Sequence, residues 1–325
     1  MRPATQPALE PLLLDPLGPT VTAIGGGRGQ AAALEAIQTY ASEISALVTV
    51  ADDGGSFGRL TESGIPPPGD ARRCLLALAP APTLWSELFA HRFRGGDIRE
   101  HSGNLILAAL SDIFGDLQSA VSAAEKMLGS LGRVIPVADR AVTLTAVVDG
   151  RRVTGQAAVA ESGGRISDLG INPPGTAAAL PALEAVAGAD QIVIGPGSLY
   201  TSVISALMVQ MLAPAVTAAP GQRVFVLNLV TRDDETRGMT GACHLEALSA
   251  HSGIEGPGVV VAHDGPLNPP AGHVPVTVSA EEASRLGWRV EHADVADERA
   301  GRPAHDPLKL GRILGELAGT RDTSR

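Results

Sequence analysis

The 325-residue sequence predicts an α/β fold: a three-layer Rossmann-like arrangement on a mainly parallel sheet, with a small antiparallel β-hairpin subdomain inserted. Three observations predict it. Short apolar runs such as Val21-Thr22-Ala23-Ile24 and Gln191-Ile192-Val193-Ile194 have strand length and end in glycine loops. Hydrophobic residues make up 44% of the chain but aromatics only 3%, so Ala, Val, Leu and Gly build a core suited to close helix–sheet packing. Four strand ends carry Gly, Asp, Ser, Asn or Thr. In a doubly wound sheet those carboxyl ends share one edge and define one crevice.

Charge and cysteine usage narrow the class. Net charge is −10, from 25 basic and 35 acidic residues, against the basic stripe of a nucleic-acid binder. An anionic small ligand stays open, because loop amides and helix N-termini supply local positive potential. Cys74 and Cys243 stand far apart and form neither a metal-spacing motif nor a disulfide framework, which points to a reducing cytoplasm. Met1 to Pro19 is rich in Pro and Leu and reads as an extended arm, not a secretory signal. The longest apolar helix candidate, Ser198 to Leu212, is too short to span a bilayer, so no membrane association is expected. Residues 20–325 are read as a single domain, with 132–174 as the inserted β subdomain.

Val21 to Ile24 is the first strand, and it runs into Gly25-Gly26-Gly27-Arg28-Gly29 ahead of a helix over Gln30 to Tyr40. Glycines let the backbone approach a phosphate, and the helix N-terminus favours an anion. Gly27 to Ala32 also satisfies G-x-G-x-x-A, and Asp52 or Asp53 follows at the distance expected of a ribose-binding acid. A plain βα turn is the competing reading. Ile44 to Val50 is the next strand. Its end, Ala51-Asp52-Asp53-Gly54-Gly55-Ser56-Phe57-Gly58-Arg59, is read as a ligand loop that brings carboxylates and backbone N–H groups together, against a solvated turn.

Ile65-Pro66-Pro67-Pro68-Gly69-Asp70 stiffens a loop in which Asp70 is expected to N-cap a helix over Ala71 to Ala79. Arg72 and Arg73 in that first turn oppose the helix dipole, so an anion or a carboxylate is expected beside them; a surface salt bridge is the competing reading. Leu84 to Phe93 is a helix broken by Arg94 to Asp97. His101, Ser102 and Asn104 then open an apolar helix over Leu105 to Phe114. Val142 to Val148, Asp149-Gly150 and Arg151 to Val159 form a hairpin pattern, and Ile166 to Ile171 adds a strand. The core resumes with a helix over Pro181 to Ala187. A second glycine loop follows the strand Gln191 to Ile194, Gly195-Pro196-Gly197-Ser198-Leu199-Tyr200-Thr201-Ser202, whose hydroxyls and amides suit phosphate. A strand over Arg223 to Val230 carries Asn228. A helix over Gly241 to Ser252, a strand at Val259 to Val261 and a last helix over Leu308 to Leu317 complete the chain.

Taken together, these loops resemble the gluconeogenesis-factor (YvcK-like) family, which is related to the CofD 2-phospho-lactate transferases. The blocks are Gly25 to Gly29, Thr49 to Ser56 with Gly58-Arg59-Leu60, Ile65 to Asp70, Gly103 to Leu110 and Gly195 to Ser202. The resemblance runs from about Val21 to His251 and on, more loosely, to His305-Asp306-Pro307. The sequence departs from the family pattern at Arg28, usually Thr, at Ala71-Arg72-Arg73, usually Ile-Arg-Asn, and around His101. It departs again in the short Pro266 to Val276 segment, which lacks an aromatic, and at Ala304, where Arg is common.

The resemblance implies a cytoplasmic regulatory protein that binds a UDP-sugar, notably UDP-N-acetylglucosamine, needs no cofactor, and links carbon supply to cell-wall synthesis and cell shape. Cell-wall synthesis enzymes are then candidate partners, and a homo-oligomer is open. Amides of Gly26, Gly27, Gly29, Gly197 and Ser198 would cradle the diphosphate, with Gly195 and Thr201 in the same loop. Asp52 or Asp53, with Gly54, Gly55 and Ser56, would meet hydroxyls. Arg28, Arg59 or Arg72 would offset charge, and Asn104 and Asn228 would orient base or sugar. One alternative is a CofD-type transferase with a guanosine diphosphate donor, where Asp53 with Asp52 or Asp70 would hold Mg2+. A second alternative is an NAD(P)-binding protein. No general base or nucleophile converges on the glycine loops unless His101 enters the crevice, which favours binding over chemistry.

Overall fold

A computed structural model describes residues 14–51, 68–93, 101–231, 235–297 and 303–319. In chain order its strands are β1 (Thr20–Gly25), β2 (Glu43–Val48), β3 (Arg133–Pro136), β4 (Thr143–Val148), β5 (Arg151–Thr154), β6 (Ile166–Asn172), β7 (Gln191–Ile194), β8 (Gln222–Val226), β9 (Gly258–His263) and β10 (Trp288–Ala293). The helices are α1 (Gly27–Ile37), α2 (Gly69–Ala77), α3 (Leu84–Ala90), α4 (Ser102–Phe114), α5 (Leu117–Leu128), α6 (Gln156–Glu161), α7 (Leu180–Ala187), α8 (Leu212–Ala218), α9 (Gly241–Ser252), α10 (Ala280–Arg285) and α11 (Pro307–Gly319). Between α7 and α8, a π-helical stretch, Leu199–Ile204, continues into a helical turn, Ser205–Leu207.

Seven strands pair in parallel in the order β10-β9-β8-β7-β1-β2-β3. The chain steps outward from β1 to β2 and β3, returns to the other side of β1 at β7, and steps outward again to β10. The order therefore reverses between β1 and β7, where Val21 faces Ile44 on one side and Gln191 on the other. Right-handed crossovers put the helices of the two halves on opposite faces of the sheet. This yields the three layers the sequence predicts, with strands buried on both sides. α1 packs against α11 and α2 on one face, and α7 packs against α8.

Local chemistry fixes the helix ends. Asp116 accepts from Ser119 N–H at 2.7 Å to start α5, and Thr240 accepts from Cys243 N–H at 3.2 Å to start α9. Gly115, Gly129 and Gly253, all left-handed, stop α4, α5 and α9.

The antiparallel insertion is a separate three-stranded sheet, β5-β4-β6. Asp149 (φ 48°) and Gly150 (φ 77°) make its turn with both central residues left-handed, as an Asp-Gly hairpin requires. The insertion begins after β3 and not at Gly132, because Arg133–Pro136 pairs with β2 as the edge of the main sheet. Nor does the second hairpin strand reach Val159. Gly155 turns at φ 103°, and the Ala-rich Gln156–Glu161 forms α6. The apolar run after Ser198 stops at Leu207, and Met211 at φ 76° separates it from α8. β10 and α10 carry mixed polar sequences that the apolar pattern did not reveal.

A buried amide ties the first helix to the sheet. Gln30 is fully buried; its Nε2 donates to the carbonyls of Leu47 at 3.0 Å and Ala23 at 3.3 Å, and its Oε1 faces the Cys74 thiol at 3.4 Å. Replacing it by an isosteric hydrocarbon strands those carbonyls. Gln30→Leu is expected to lower unfolding free energy by about 1–3 kcal/mol in urea denaturation, with an unchanged m-value.

Candidate functional site

Two glycine loops meet at the switch point. Gly195 N–H donates to Ile24 O at 2.8 Å, extending the β1–β7 pairing. Beyond it the backbones touch. A Cβ on Gly29 would stand 2.6 Å from the Pro196 carbonyl oxygen, and one on Gly197 would stand 2.8 Å from that of Gly26. Neither distance is tolerable, so both positions require glycine. Asn228, just past β8, clips the second loop: its Oδ1 accepts from Gly197 N–H at 3.1 Å and its Nδ2 donates to Gly197 O at 2.9 Å.

Carboxylates occupy both helix starts. Asp70 is not the N-cap of α2; Pro68 holds that position, and the Asp70 side chain crosses to α1. Its Oδ1 accepts from Gly27 N–H at 3.0 Å and pairs with Arg73 at 2.5 Å. Its Oδ2 is buried without a hydrogen-bond partner among the described residues. A Cβ on Gly26 would come within 2.1 Å of that oxygen, so Gly26 is glycine because the carboxylate sits there. Arg73 thus finds its carboxylate within its own turn, while buried Arg72 donates from Nε to Asn104 Oδ1 at 2.9 Å. In the second loop, buried Glu235 accepts from Tyr200 N–H at 3.1 Å and bonds the Thr201 hydroxyl, facing the start of the π-helical stretch.

Beside these loops lies a cavity of about 480 Å³ at the carboxyl edge of the sheet. That is the size range of small-molecule sites, and a topological switch point is where open α/β sheets bind them. Of the residues expected from sequence, Arg28, Gly29, Gly197 and Asn228 line it. Gly26, Gly27, Asp70, Arg72, Asn104, Gly195, Ser198 and Thr201 do not line it, though the first three abut the same loop. Asp52, Asp53, Gly54, Gly55, Ser56 and Arg59 lie outside the described residues.

Sequence reasoning did not name the rest of the lining: Ala32, Pro196, Leu229, Val230, Pro270, His273, Pro303, Ala304 and His305. Pro270 and His273 come from the short Pro266 to Val276 segment, in which no binding residue was named. Pro303 to His305 come from the approach to the last helix, where His305-Asp306-Pro307 was the available signal. The lining is apolar except for one guanidinium, one amide, two imidazoles and loop backbone.

His305 is the most constrained of these. Its ring is buried, and Nε2 lies 3.2 Å from the Leu227 carbonyl. Burial pushes its pKa from 6.5 down to about 4; the Leu227 carbonyl opposes that shift, and nearby His263 adds to it. Burial also lowers the pKa of His244. Among the described residues no cluster of three or more His, Cys, Asp or Glu could hold a metal ion, and no helix is long and apolar enough to cross a membrane.

The sheet order and the cavity define the class: a doubly wound α/β protein with a cavity at its switch point. Residues 21–296 match the family model of 2-phospho-L-lactate transferase CofD. A gluconeogenesis factor of Bacillus subtilis (strain 168) is 36% identical over 310 residues, covering 92% of this chain and 98% of the relative. That of Halalkalibacterium halodurans is 40% identical over 252 residues, covering 76% of this chain and 78% of the relative. The crystal structure of a UPF0052-family protein from Bacillus halodurans superposes with a TM-score of 0.85 at 35% identity, over 90% of this chain and 98% of that one. The chain belongs to the gluconeogenesis-factor family, which is related to CofD.

Burial depresses the pKa of three histidines, His244, His251 and His305, and they give a pH signature. Above pH 6.5 they are neutral in both the folded and the unfolded chain. Below it the unfolded chain takes up protons that the fold refuses, so stability falls as pH drops from 6.5 towards 4. Thermal denaturation between neutral pH and about pH 5 is expected to show this decline, with a shallower slope in His305→Asn.

Proposed function

We propose that this chain is a cytoplasmic regulatory protein that binds a nucleotide sugar, UDP-N-acetylglucosamine, in the switch-point cavity, and that it links carbon metabolism to cell-wall synthesis and cell shape through contact with cell-wall enzymes. The observation that carries the reading is the cavity's lining. One guanidinium, from Arg28 at the start of α1, stands among apolar walls and two imidazoles. A diphosphate would pair with Arg28, and flat apolar surfaces at Leu229, Pro270 and Pro303 would cover a base or sugar ring. The glycine loops serve close backbone packing here, and Asp70 and Asn228 engage the Gly27 and Gly197 amides.

The test is thermal stabilisation by UDP-N-acetylglucosamine, UDP-glucose, GDP and NAD, each with and without magnesium. Ligand at about 100 times its dissociation constant adds roughly 2.7 kcal/mol. UDP-sugars are expected to stabilise the protein without magnesium, and Arg28→Ala to weaken binding about tenfold or more in protein that still unfolds cooperatively. Stabilisation by NAD alone would overturn the reading.

One observation favours a second reading, a CofD-type transferase with a guanosine diphosphate donor. The buried Asp70 Oδ2, unpaired among the described residues, is a hard oxygen beside the first glycine loop and fits one ligand position of Mg2+. Bound there, the metal would neutralise donor phosphate charge. On this reading GDP stabilises the protein only with magnesium, and Asp70→Asn removes the magnesium requirement along with the binding.

A further inference from the structure

The cavity wall contains a hydrogen-bond acceptor of fixed identity. The Leu227 carbonyl can only accept, so the Nε2 facing it at 3.2 Å carries the ring proton, and Nδ1 of His305 carries the lone pair. Among the described residues Nδ1 makes no hydrogen bond. Unlike the Nε2 atoms of His244 and His263, it is not sealed in the interior as an unsatisfied group. His305 is 8% exposed and lines the cavity. No donor among the described residues meets this atom, so a ligand donor is what would satisfy it.

We propose that His305 is the base-reading residue of the site: its Nδ1 accepts a hydrogen bond from the ring N–H of a nucleobase seated against Leu229, Pro270 and Pro303. The inference rests on the nucleotide reading above and deepens it. In a uridine nucleotide the base offers one N–H, at N3, since N1 holds the ribose. Guanine offers the corresponding N–H at N1. Cytosine and adenine present a lone pair at those positions and would set two acceptors against each other. Burial keeps the imidazole neutral, so it does not switch to a donor to accommodate them.

The experiment is a binding cycle by titration calorimetry on the full chain. UDP-N-acetylglucosamine and its N3-methyl analogue are compared on the native protein and on His305→Phe, which keeps a ring of similar bulk without either nitrogen. GDP and 1-methyl-GDP form a second pair. N3-methylation is expected to weaken binding to the native protein about tenfold or more, because a buried acceptor loses its partner. In His305→Phe, parent and methylated ligands are expected to bind equally, and more weakly than the parent binds the native protein. Equal affinities of the two uridine ligands for the native protein would overturn the inference while leaving the nucleotide-sugar reading intact, even if His305→Phe fails to fold. An equal methylation penalty in both proteins would also overturn it, since the effect would then be steric. Silence towards UDP-N-acetylglucosamine with GDP preferred over 1-methyl-GDP would overturn the UDP-sugar reading and leave His305 as the base reader. No binding of either nucleotide would overturn both.

Discussion

The contact on which the rest depends is the van der Waals touch between the loops after β1 and β7. Two neighbouring parallel strands whose chains leave in opposite directions normally splay apart and open a crevice. Here Gly26, Gly29 and Gly197 bring the backbones together, and Asn228 holds the second loop with paired bonds to one residue. The polar groups are divided between two places: Arg28 and His305 line the cavity, whereas Asp70, Arg73, Arg72 and Asn104 are bonded in pairs outside its lining.

The division explains why glycine loops alone misdirect a functional reading. Glycine loops before helix starts are read as phosphate cradles because amides and dipoles converge there. In this protein Asp70 meets the first helix start and Glu235 faces the start of the π-helical stretch. Both helix starts are met by the protein's own carboxylates, and the cationic group in the cavity lining is a side chain, Arg28.

The parallel core was legible because its signals are local. Apolar runs of strand length, glycine at their ends and an Asp-Gly turn each report directly on backbone geometry, and Val21–Ile24, Gln191–Ile194 and Asp149-Gly150 fold accordingly. The edge of the main sheet was not legible: Arg133–Pro136 looks like part of the hairpin region until β2 pairs with it. Of the cavity lining, Arg28, Gly29, Gly197 and Asn228 were named from sequence because they sit in or beside recognisable loops. His273, Ala304 and His305 were not named: the family resemblance is loose around them, and only the folded sheet brings them to the same edge. Asp70 was found for the wrong local reason, since an acid near a helix start reads as a cap and its true partner, Gly27, lies 43 positions away.

One consequence of the cavity's construction concerns time and not space. Its wall draws on residue 28 near one end of the described chain and residue 305 near the other, and the helix that follows residue 305 packs on the helix that contains residue 28. Such a site has no partial form during synthesis: until the last helix docks on the first, one wall is missing. Contacts this distant in sequence form late and at high entropic cost. On the proposed reading, ligand binding would therefore report on completion of the whole fold. It should protect the protein against global opening rather than stiffen a single loop, so that ligand supply and the lifetime of the folded chain are linked through the same contacts.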